Sequence, residues 1–345
     1  MRRRFSPGHD LIALVHLIYY LVRIRPHIVH AHTPKGGLLG MIGAWLTHVP
    51  VRVYHIHGLR YETEKGFRRR ILIWSEKIAC ACAQRVICVS HSLQEIVIKE
   101  YLCKPEKISV LGNGSINGVD AVGKFNPASI EKSAQLRVRE STHIPVDASV
   151  LGYVGRIVRD KGMHELAEAW STLRETMPNL HLLVIGYFEP QDPVSPHVHE
   201  VFKNDPRVHL VGFVADTPPM YAAMDVLALP TYREGFPSVV IEAAAMTVPV
   251  VGTRVTGCVD AIVDGVTGTL VPARDANALT RAIQRYLMNL ELRQRHGDAA
   301  RQRVLQDFRP EPIWDAVYQV YLELLHKQGI SSQAAEQNSP INVLK

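Results

Sequence analysis

The sequence predicts an α/β protein built from two domains, each with a doubly wound parallel sheet. Short apolar segments that do not alternate strictly with polar residues recur along most of the chain, and a segment of helical length follows each of them. Strands of this kind, joined by crossover helices, are typical of parallel sheets covered on both faces. A chain of 345 residues is long enough for two such domains.

The first half of the chain opens with an apolar run, Leu11–Val22, which predicts a helix packed on a sheet. A bilayer span needs about 20 apolar residues, so this run is too short to cross one. A helix that touches a membrane surface is the alternative. Strands are predicted at 26–32, 51–57, 85–90 and 107–114, with helices near 36–47, 67–83 and 91–101.

The second half repeats this rhythm after a polar stretch, 115–148, that is punctuated by glycine and proline and predicts a connection with one short helix. We therefore predict domains at 1–145 and 146–308. A C-terminal helix over 309–328, with its return to the first domain left open, precedes a disordered tail over 329–345. Strands are predicted at 149–155, 181–186, 208–213, 226–230 and 249–253, with helices near 163–176, 217–224, 238–247 and 275–290.

Charge is distributed unevenly between the two halves. Residues 1–145 contain 21 Lys and Arg against 10 Asp and Glu, and the remaining residues contain 18 against 23. A basic half of this kind favours contact with an anionic surface or substrate, although a solvated surface would give the same balance. No nucleic-acid-binding signature is present, so we expect no nucleic-acid partner.

The five cysteines are odd in number, and none has the spacing of a metal site. They are Cys80, Cys82, Cys88, Cys103 and Cys258. This pattern predicts reduced thiols in a cytoplasmic protein.

The segment 152–162, "GYVGRIVRDKG", predicts a phosphate-binding loop between a strand and a helix. Ligands of doubly wound sheets bind beyond the carboxyl ends of strands, where Arg156 and Lys161 could converge on anionic oxygens. Neither the Walker pattern nor the dinucleotide glycine pattern is present. Surface charges near a turn are the alternative interpretation.

The segment 233–242, "REGFPSVVIE", predicts a second part of the same site. A helix that starts at Pro237 would direct the backbone amides of Gly235, Phe236 and Ser238 at an anion. Glu234 precedes this helix and Glu242 lies one turn inside it. Carboxylates beside an anion site indicate a ligand with both phosphate and hydroxyl groups, although Glu242 could instead be a buried structural residue.

Histidines stand at the ends of two strands in the first half, and His57 is the one predicted to face a crevice between the domains. A structural histidine is the alternative. His30 and His32 lie two apart, unlike helical metal ligands, and neither H-E-x-x-H nor D-x-D occurs. We therefore predict no metal and no other cofactor.

Together these motifs resemble those of GT-B glycosyltransferases of family 4, the retaining enzymes with a Glu-x7-Glu motif, here "EGFPSVVIE". Further similarity lies in "GRIVRDKG", "NGSINGVD", "MYAAMDVLALPTYREGFP" and "DGVTGTLVP". The segments "HTPKGGLLG" and "IHGLRYET" resemble enzymes that build capsular, exopolysaccharide or O-antigen repeat units. The resemblance implies two Rossmann-like domains facing across a cleft, with the first βα unit of the N-terminal domain absent.

The resemblance also implies a role for each predicted site residue. Arg156 and Lys161 would neutralise the donor diphosphate, and Glu242 would accept hydrogen bonds from the ribose. Glu234 and the amides of the segment from Gly235 to Ser238 would hold the transferred sugar and the distal phosphate. His57 would position the donor or activate the acceptor.

The function implied is transfer of a sugar from a nucleotide-sugar, by similarity a UDP-sugar, to a lipid-linked or saccharide acceptor in surface polysaccharide biosynthesis. The expected acceptor is a polyprenyl-diphosphate-linked sugar, reached from the inner face of the cytoplasmic membrane through the basic N-terminal half. A catalytically inactive nucleotide-sugar-binding subunit and a nucleotide-sugar epimerase or hydrolase remain alternatives.

Overall fold

The structure is a computed structural model that describes residues 6–190 and 192–330. The described residues divide into two compact units. The first comprises the residues up to Ile116 together with those from Glu311 onward, and the second comprises Asn117–Pro310. Each unit has a parallel sheet of its own, as the strand pattern predicts.

The sheet of the first unit has, within the described residues, four parallel strands that lie side by side in chain order. The strands are β1 (Ile28–His32), β2 (Val51–Ile56), β3 (Arg85–Cys88) and β4 (Ile108–Val110). The helices that alternate with them are α1 (Pro7–Ile24), α2 (Pro34–Leu46), α3 (Gly66–Cys82) and α4 (His91–Lys99).

The second unit follows the same alternation around a six-stranded parallel sheet, counted over the described residues. Its strands are β5 (Ser149–Val154), β6 (Leu180–Ile185), β7 (Val208–Gly212), β8 (Val226–Leu229), β9 (Val250–Thr253) and β10 (Gly268–Val271). Its helices are α5 (Lys132–Ser141), α6 (Met163–Thr176), α7 (Pro196–Asn204), α8 (Pro218–Ala222), α9 (Ser238–Ala245), α10 (Cys258–Ala261), α11 (Ala276–Met288) and α12 (Leu290–Asp307).

The chain ends, within the described residues, with helix α13 (Pro310–Lys327), which packs on the sheet of the first unit. Val320, Leu324 and Leu325 of this helix form a buried cluster with apolar side chains of β2 and β3. Arg85 and Glu323 add an ion pair at 3.0 Å. The predicted tail over 329–345 lies outside the described residues, apart from Gly329 and Ile330.

The boundary between the units lies between Ile116 and Asn117, earlier in the chain than the predicted boundary near residue 145. The polar stretch that follows is not a free linker, because two arginines order it and connect it to the second unit. Arg139, within the stretch, donates hydrogen bonds to the carbonyls of Pro145 and Ala148 at 2.8 and 2.9 Å, and to that of Ala223 at 3.4 Å. Arg301 of α12 donates to two further carbonyls in the stretch. The polar composition of this stretch therefore did not indicate that it is an ordered part of the second unit.

Helix α12 is missing from the sequence prediction, in which the last helix of this domain ends near residue 290. Its buried face is formed by Leu292, His296, Gly297, Ala300 and Val304, so its apolar period is weak. Small residues are nevertheless required there: a Cβ at Gly297 would lie 2.1 Å from the carbonyl oxygen of Thr247. Close backbone contact, rather than hydrophobic patterning, holds this helix in place.

The apolar run Leu11–Val22 forms part of α1, whose Leu21 is buried with Ala44 and Val49 beside α2. None of the described helices combines the length and the apolar character that crossing a bilayer requires.

Candidate functional site

The sheet of the second unit reverses its winding at its centre, and this reversal defines the candidate site. The strand order is β10-β9-β8-β5-β6-β7, so β5 and β8 are neighbours although about 70 residues separate them. Connections on the two sides of this point leave in opposite directions, which opens a crevice at the carboxyl ends of the two strands. Arg156 and Lys161 follow β5, and Glu234 follows β8.

Lys161 and Glu234 form an ion pair across this point, between Lys161 Nζ and Glu234 Oε1. Only 20% of the Lys161 side chain and 13% of the Glu234 side chain are exposed. Two charges held this far from water stabilise one another, and removing either would leave the other buried without its partner. The ion pair therefore fixes both side chains at the mouth of the crevice.

Backbone contacts lock the two loops together beneath this ion pair. Gly162 has a φ of +68°, and a Cβ there would lie 1.9 Å from the carbonyl oxygen of Pro230. The Tyr232 amide donates to the Asp160 carbonyl at 2.9 Å, and Arg233 pairs with the Asp160 carboxylate at 3.4 Å. The position of Lys161 relative to Glu234 thus depends on a glycine that allows the two backbones to touch.

Arg156 is held by a second ion pair, with Glu189 in the loop that follows β6. A glycine again permits the contact: Gly186 has a φ of +150°, and a Cβ there would lie 1.8 Å from the carbonyl oxygen of Gly155. The Arg156 side chain remains 44% exposed, whereas Glu189 is 12% exposed. Arg156 thus presents a guanidinium to solvent at the same edge of the sheet.

The charge of Glu234 affects the pKa of two buried side chains, Tyr153 and Cys258. Burial raises the pKa of the Tyr153 hydroxyl, and the nearby Glu234 carboxylate raises it further. The Cys258 thiol is fully buried, and burial and Glu234 both raise its pKa, while Lys161 lowers it. Both groups therefore stay neutral near pH 7 beside the charged ion pair.

Helix α9 begins at Ser238, with Pro237 at the N-cap position rather than at the first helical position. The side chain of Phe236, which precedes it, is buried against Phe308 with ring centroids 5.2 Å apart. This packing fixes the entry of the chain into the helix. The predicted direction of the amides of Gly235, Phe236 and Ser238 toward an anion remains a prediction.

Glu242 lies one turn inside α9 and accepts a hydrogen bond from the Tyr221 hydroxyl at 2.8 Å. Burial raises its pKa, while the Tyr221 hydrogen bond and the charge of Lys124 offset part of that rise. A half-buried carboxylate with one oxygen bound by Tyr221 can still accept hydrogen bonds from a ligand.

His57 belongs to the first unit, directly after β2, and its Nε2 lies 2.8 Å from Nδ1 of His32. Burial, and then the neighbouring His32, lower the pKa of His57 to about 4. The imidazole is therefore neutral near pH 7. Its predicted role in donor positioning or acceptor activation remains a prediction.

The ion pair of Lys161 and Glu234 joins two of the predicted site residues directly. Sequence reasoning missed the partners of the others: Glu189, which binds Arg156, and Tyr221, which binds Glu242. Glu189 follows β6 as Arg156 follows β5, so its position after a strand was an available signal. Tyr221 carried no such signal, because α8 is brought to α9 only by tertiary packing.

Two units that each contain a parallel sheet with crossover helices are the architecture of GT-B glycosyltransferases, and comparison with known proteins shows the family. Residues 1–115 match the model of the family described as "Glycosyltransferase Family 4", and residues 148–289 match that of "Glycosyl transferases group 1". A capsular polysaccharide biosynthesis glycosyltransferase, CapM of Staphylococcus aureus, is 38% identical over 93% of this chain and 83% of its own length. The chain belongs to glycosyltransferase family 4.

Two further relatives support the assignment. An Escherichia coli protein named UDP-Gal:alpha-D-GlcNAc-diphosphoundecaprenol alpha-1,3-galactosyltransferase is 27% identical over 94% of this chain and 82% of its own length. Among solved structures, Anabaena HepE in complex with UDP and glucose has a TM-score of 0.78 at 21% identity, covering 93% of this chain and 84% of HepE. The structural likeness establishes the two-domain GT-B fold.

The Gly162–Pro230 contact can be tested by Gly162→Ala, with Gly265→Ala as a matched control. Both glycines have a left-handed backbone, with φ of +68° and +74°, but nothing lies within 4 Å of a Cβ at Gly265. The control should therefore lose only about 1–2 kcal/mol of unfolding free energy from backbone strain. Gly162→Ala should lose clearly more, because a backbone carbonyl must also move. Urea unfolding measures both, and equal losses would contradict the contact.

Proposed function

We propose that this enzyme transfers a sugar from a UDP-sugar to a polyprenyl-diphosphate-linked sugar in the biosynthesis of a surface polysaccharide. The name of the Staphylococcus aureus relative supports the polysaccharide, and that of the Escherichia coli relative supports the donor and the lipid-linked acceptor. The Lys161–Glu234 ion pair at the strand reversal is the observation that carries the proposal.

The donor diphosphate binds where Lys161 and Arg156 are now held by carboxylates. Each cation has an acidic partner, Glu234 or Glu189, so the ligand-free site is close to neutral. A diphosphate competes with these carboxylates for the two cations, since phosphate oxygens are strong acceptors for ammonium and guanidinium groups. The amides at the start of α9 add donors that carry no charge to be balanced.

The same exchange gives Glu234 its role. Once phosphate takes over Lys161, the Glu234 carboxylate is released from its ion pair and can accept hydrogen bonds from hydroxyl groups of the transferred sugar. Glu242, whose other contact is the Tyr221 hydroxyl, accepts hydrogen bonds from the ribose. This arrangement accounts for glutamates in a site that binds an anion.

The reaction proceeds with retention, and Glu234 does not act as a covalent nucleophile. Its ion pair with Lys161 lowers its nucleophilicity in the ligand-free site, and sugar hydroxyls occupy it in the complex. The leaving diphosphate, stabilised by Lys161 and Arg156, helps to remove the proton of the incoming hydroxyl on the same face of the sugar. Because these two side chains neutralise the diphosphate, the donor site operates without a divalent metal.

Substitution of the two principal donor residues tests this function. Lys161→Ala should lower turnover roughly 10²–10³-fold, because it removes a preorganised charge from the leaving group. Glu242→Ala should weaken donor binding roughly tenfold to a hundredfold, which is the range for hydrogen bonds to a charged group. Transfer from labelled UDP-sugars to an undecaprenyl-diphosphate-linked sugar measures both effects, and the anomeric coupling constant of the product reports retention.

Lys132→Ala is the control, since it removes an exposed lysine from α5 of the same unit. It should leave turnover unchanged, and addition of Mg²⁺ or Mn²⁺ to protein treated with a chelator should not raise the rate. Turnover of Lys161→Ala at the wild-type rate would overturn the site. UDP binding without transfer to any acceptor would overturn the reaction.

The acceptor lies in a membrane, and we propose that α3 contacts the inner leaflet of the cytoplasmic membrane. Phe67 and Trp74 of this helix are 72% and 65% exposed, and Arg68 and Arg70 beside them are also exposed. Exposed aromatic rings beside arginines are typical of helices that lie at the surface of anionic bilayers.

A vesicle assay tests this contact. The wild-type protein should sediment with phosphatidylglycerol vesicles and less with phosphatidylcholine vesicles, and added salt should release it. A double variant, Phe67→Ala with Trp74→Ala, should bind roughly tenfold more weakly, because two rings no longer enter the interface. Tyr101→Ala is the control, since Tyr101 is 84% exposed but lies outside α3. Equal binding by all three proteins would refute the α3 contact.

A further inference from the structure

Four imidazoles lie close together along β1 and at the carboxyl end of β2, and the donor residues of the glycosyl transfer proposed above include none of them. His30 and His32 lie two residues apart on β1, and His55 on β2 lies opposite His32 in the register of the two parallel strands. Side chains two apart on a strand share a face, so the three rings project to the same side. His57 follows immediately after β2.

The rings are in contact with one another. The centroids of His30 and His32 are 4.2 Å apart, and those of His32 and His55 are 5.3 Å apart. One nitrogen from each of His30, His32 and His55 can be chosen so that the three nitrogens lie within 4.8 Å of one another. Three converging nitrogen ligands from two rigid strands form the protein part of a metal site.

Buried nitrogens in this group have no hydrogen-bond partner among the described residues. Both ring nitrogens of His55 lack a partner, and only 3% of this residue is exposed. The Nε2 atom of His30 lacks a partner as well. A neutral imidazole always presents one donor and one acceptor, and burying them unsatisfied is costly. A bound ion would satisfy one nitrogen of each ring, His55 included.

The surroundings of His30 also suit a metal ligand. Its Nδ1 lies 2.5 Å from the hydroxyl of Tyr321 on α13, which leaves Nε2 as the nitrogen available for coordination. A hydrogen bond at the second ring nitrogen fixes the tautomer and orientation of a ligating histidine. Tyr321 is therefore placed as an outer partner of the site.

We propose that His30, His32 and His55 bind a transition-metal ion of the zinc class, with a fourth position left to solvent or His57. Imidazole ligands without carboxylates favour Zn²⁺, Cu²⁺ or Ni²⁺ over Mg²⁺ or Mn²⁺. Tetrahedral zinc holds its nitrogens about 3.3 Å apart, so the rings must turn about their broad terminal torsion to close on the ion. The bound ion joins the ends of β1 and β2 and stabilises the first unit. Its ligands belong to the first unit, whereas the proposed donor residues belong to the second.

Metal titration of chelator-treated protein without a polyhistidine tag tests the proposal. Calorimetry with Zn²⁺ alone should give one site per chain, and Co²⁺ should give the visible absorption bands of a tetrahedral complex. Zn²⁺ should also raise the melting temperature of the wild-type protein. His30→Ala and His32→Ala should each lower Zn²⁺ affinity at least tenfold, and Tyr321→Phe roughly tenfold.

The His181–His209 pair of the second unit provides the matched control. These rings stack with their Nδ1 and Nε2 atoms 2.9 Å apart, and among the described residues they belong to no group of three converging metal ligands. A double alanine variant of this pair should bind Zn²⁺ as the wild-type protein does. His32 is exposed, so His32→Ala should fold even if replacement of the buried His55 does not. Absence of a stoichiometric site in the wild-type protein, or unchanged affinity in His30→Ala and His32→Ala, would overturn the proposal. Neither result bears on UDP binding, which is measured separately.

Discussion

The ion pair between Lys161 and Glu234 is the interaction on which the rest of the proposed donor site depends. It joins the loop after β5 to the loop after β8, at the point where the winding of the second sheet reverses. The two side chains are largely buried, so neither charge is tolerable without the other. The contact of Gly162 with the Pro230 carbonyl sets their separation, and the packing of Phe236 on Phe308 sets the start of α9 beside them.

Under the proposed mechanism, the two cations of this site exchange their carboxylate partners for the donor diphosphate. In the ligand-free protein two carboxylates balance two cations, which keeps the crevice near neutrality without bound anions. Under the proposed mechanism a diphosphate takes over the cations and releases Glu234 toward the sugar. The binding of one part of the donor thus prepares the acceptor groups for another part. A site built from cations alone would bind phosphate but would lack acceptors for the hydroxyl groups.

Much of the second unit follows directly from its sequence, because β5 to β9 are apolar segments and Arg156, Lys161 and Glu234 follow strands, whereas β10 was not predicted. The Glu-x7-Glu spacing places Glu234 before α9 and Glu242 inside it, as the structure has them. The bonding partners could not be derived in this way. Tyr221 reaches Glu242, and Glu189 reaches Arg156, only through the packing of elements distant in the chain. Helix α12 was missed because its buried face carries small residues, and the unit boundary because Arg139 and Arg301 order a polar stretch.

The most direct test of the central claim compares the affinities of UDP and uridine for the full chain by calorimetry. If Lys161 binds the diphosphate, wild-type protein should prefer UDP strongly, and Lys161→Ala should lose most of that preference while still binding uridine. Glu242→Ala should weaken both ligands alike, because both carry the ribose. A preference for UDP that survives unchanged in Lys161→Ala would contradict the account.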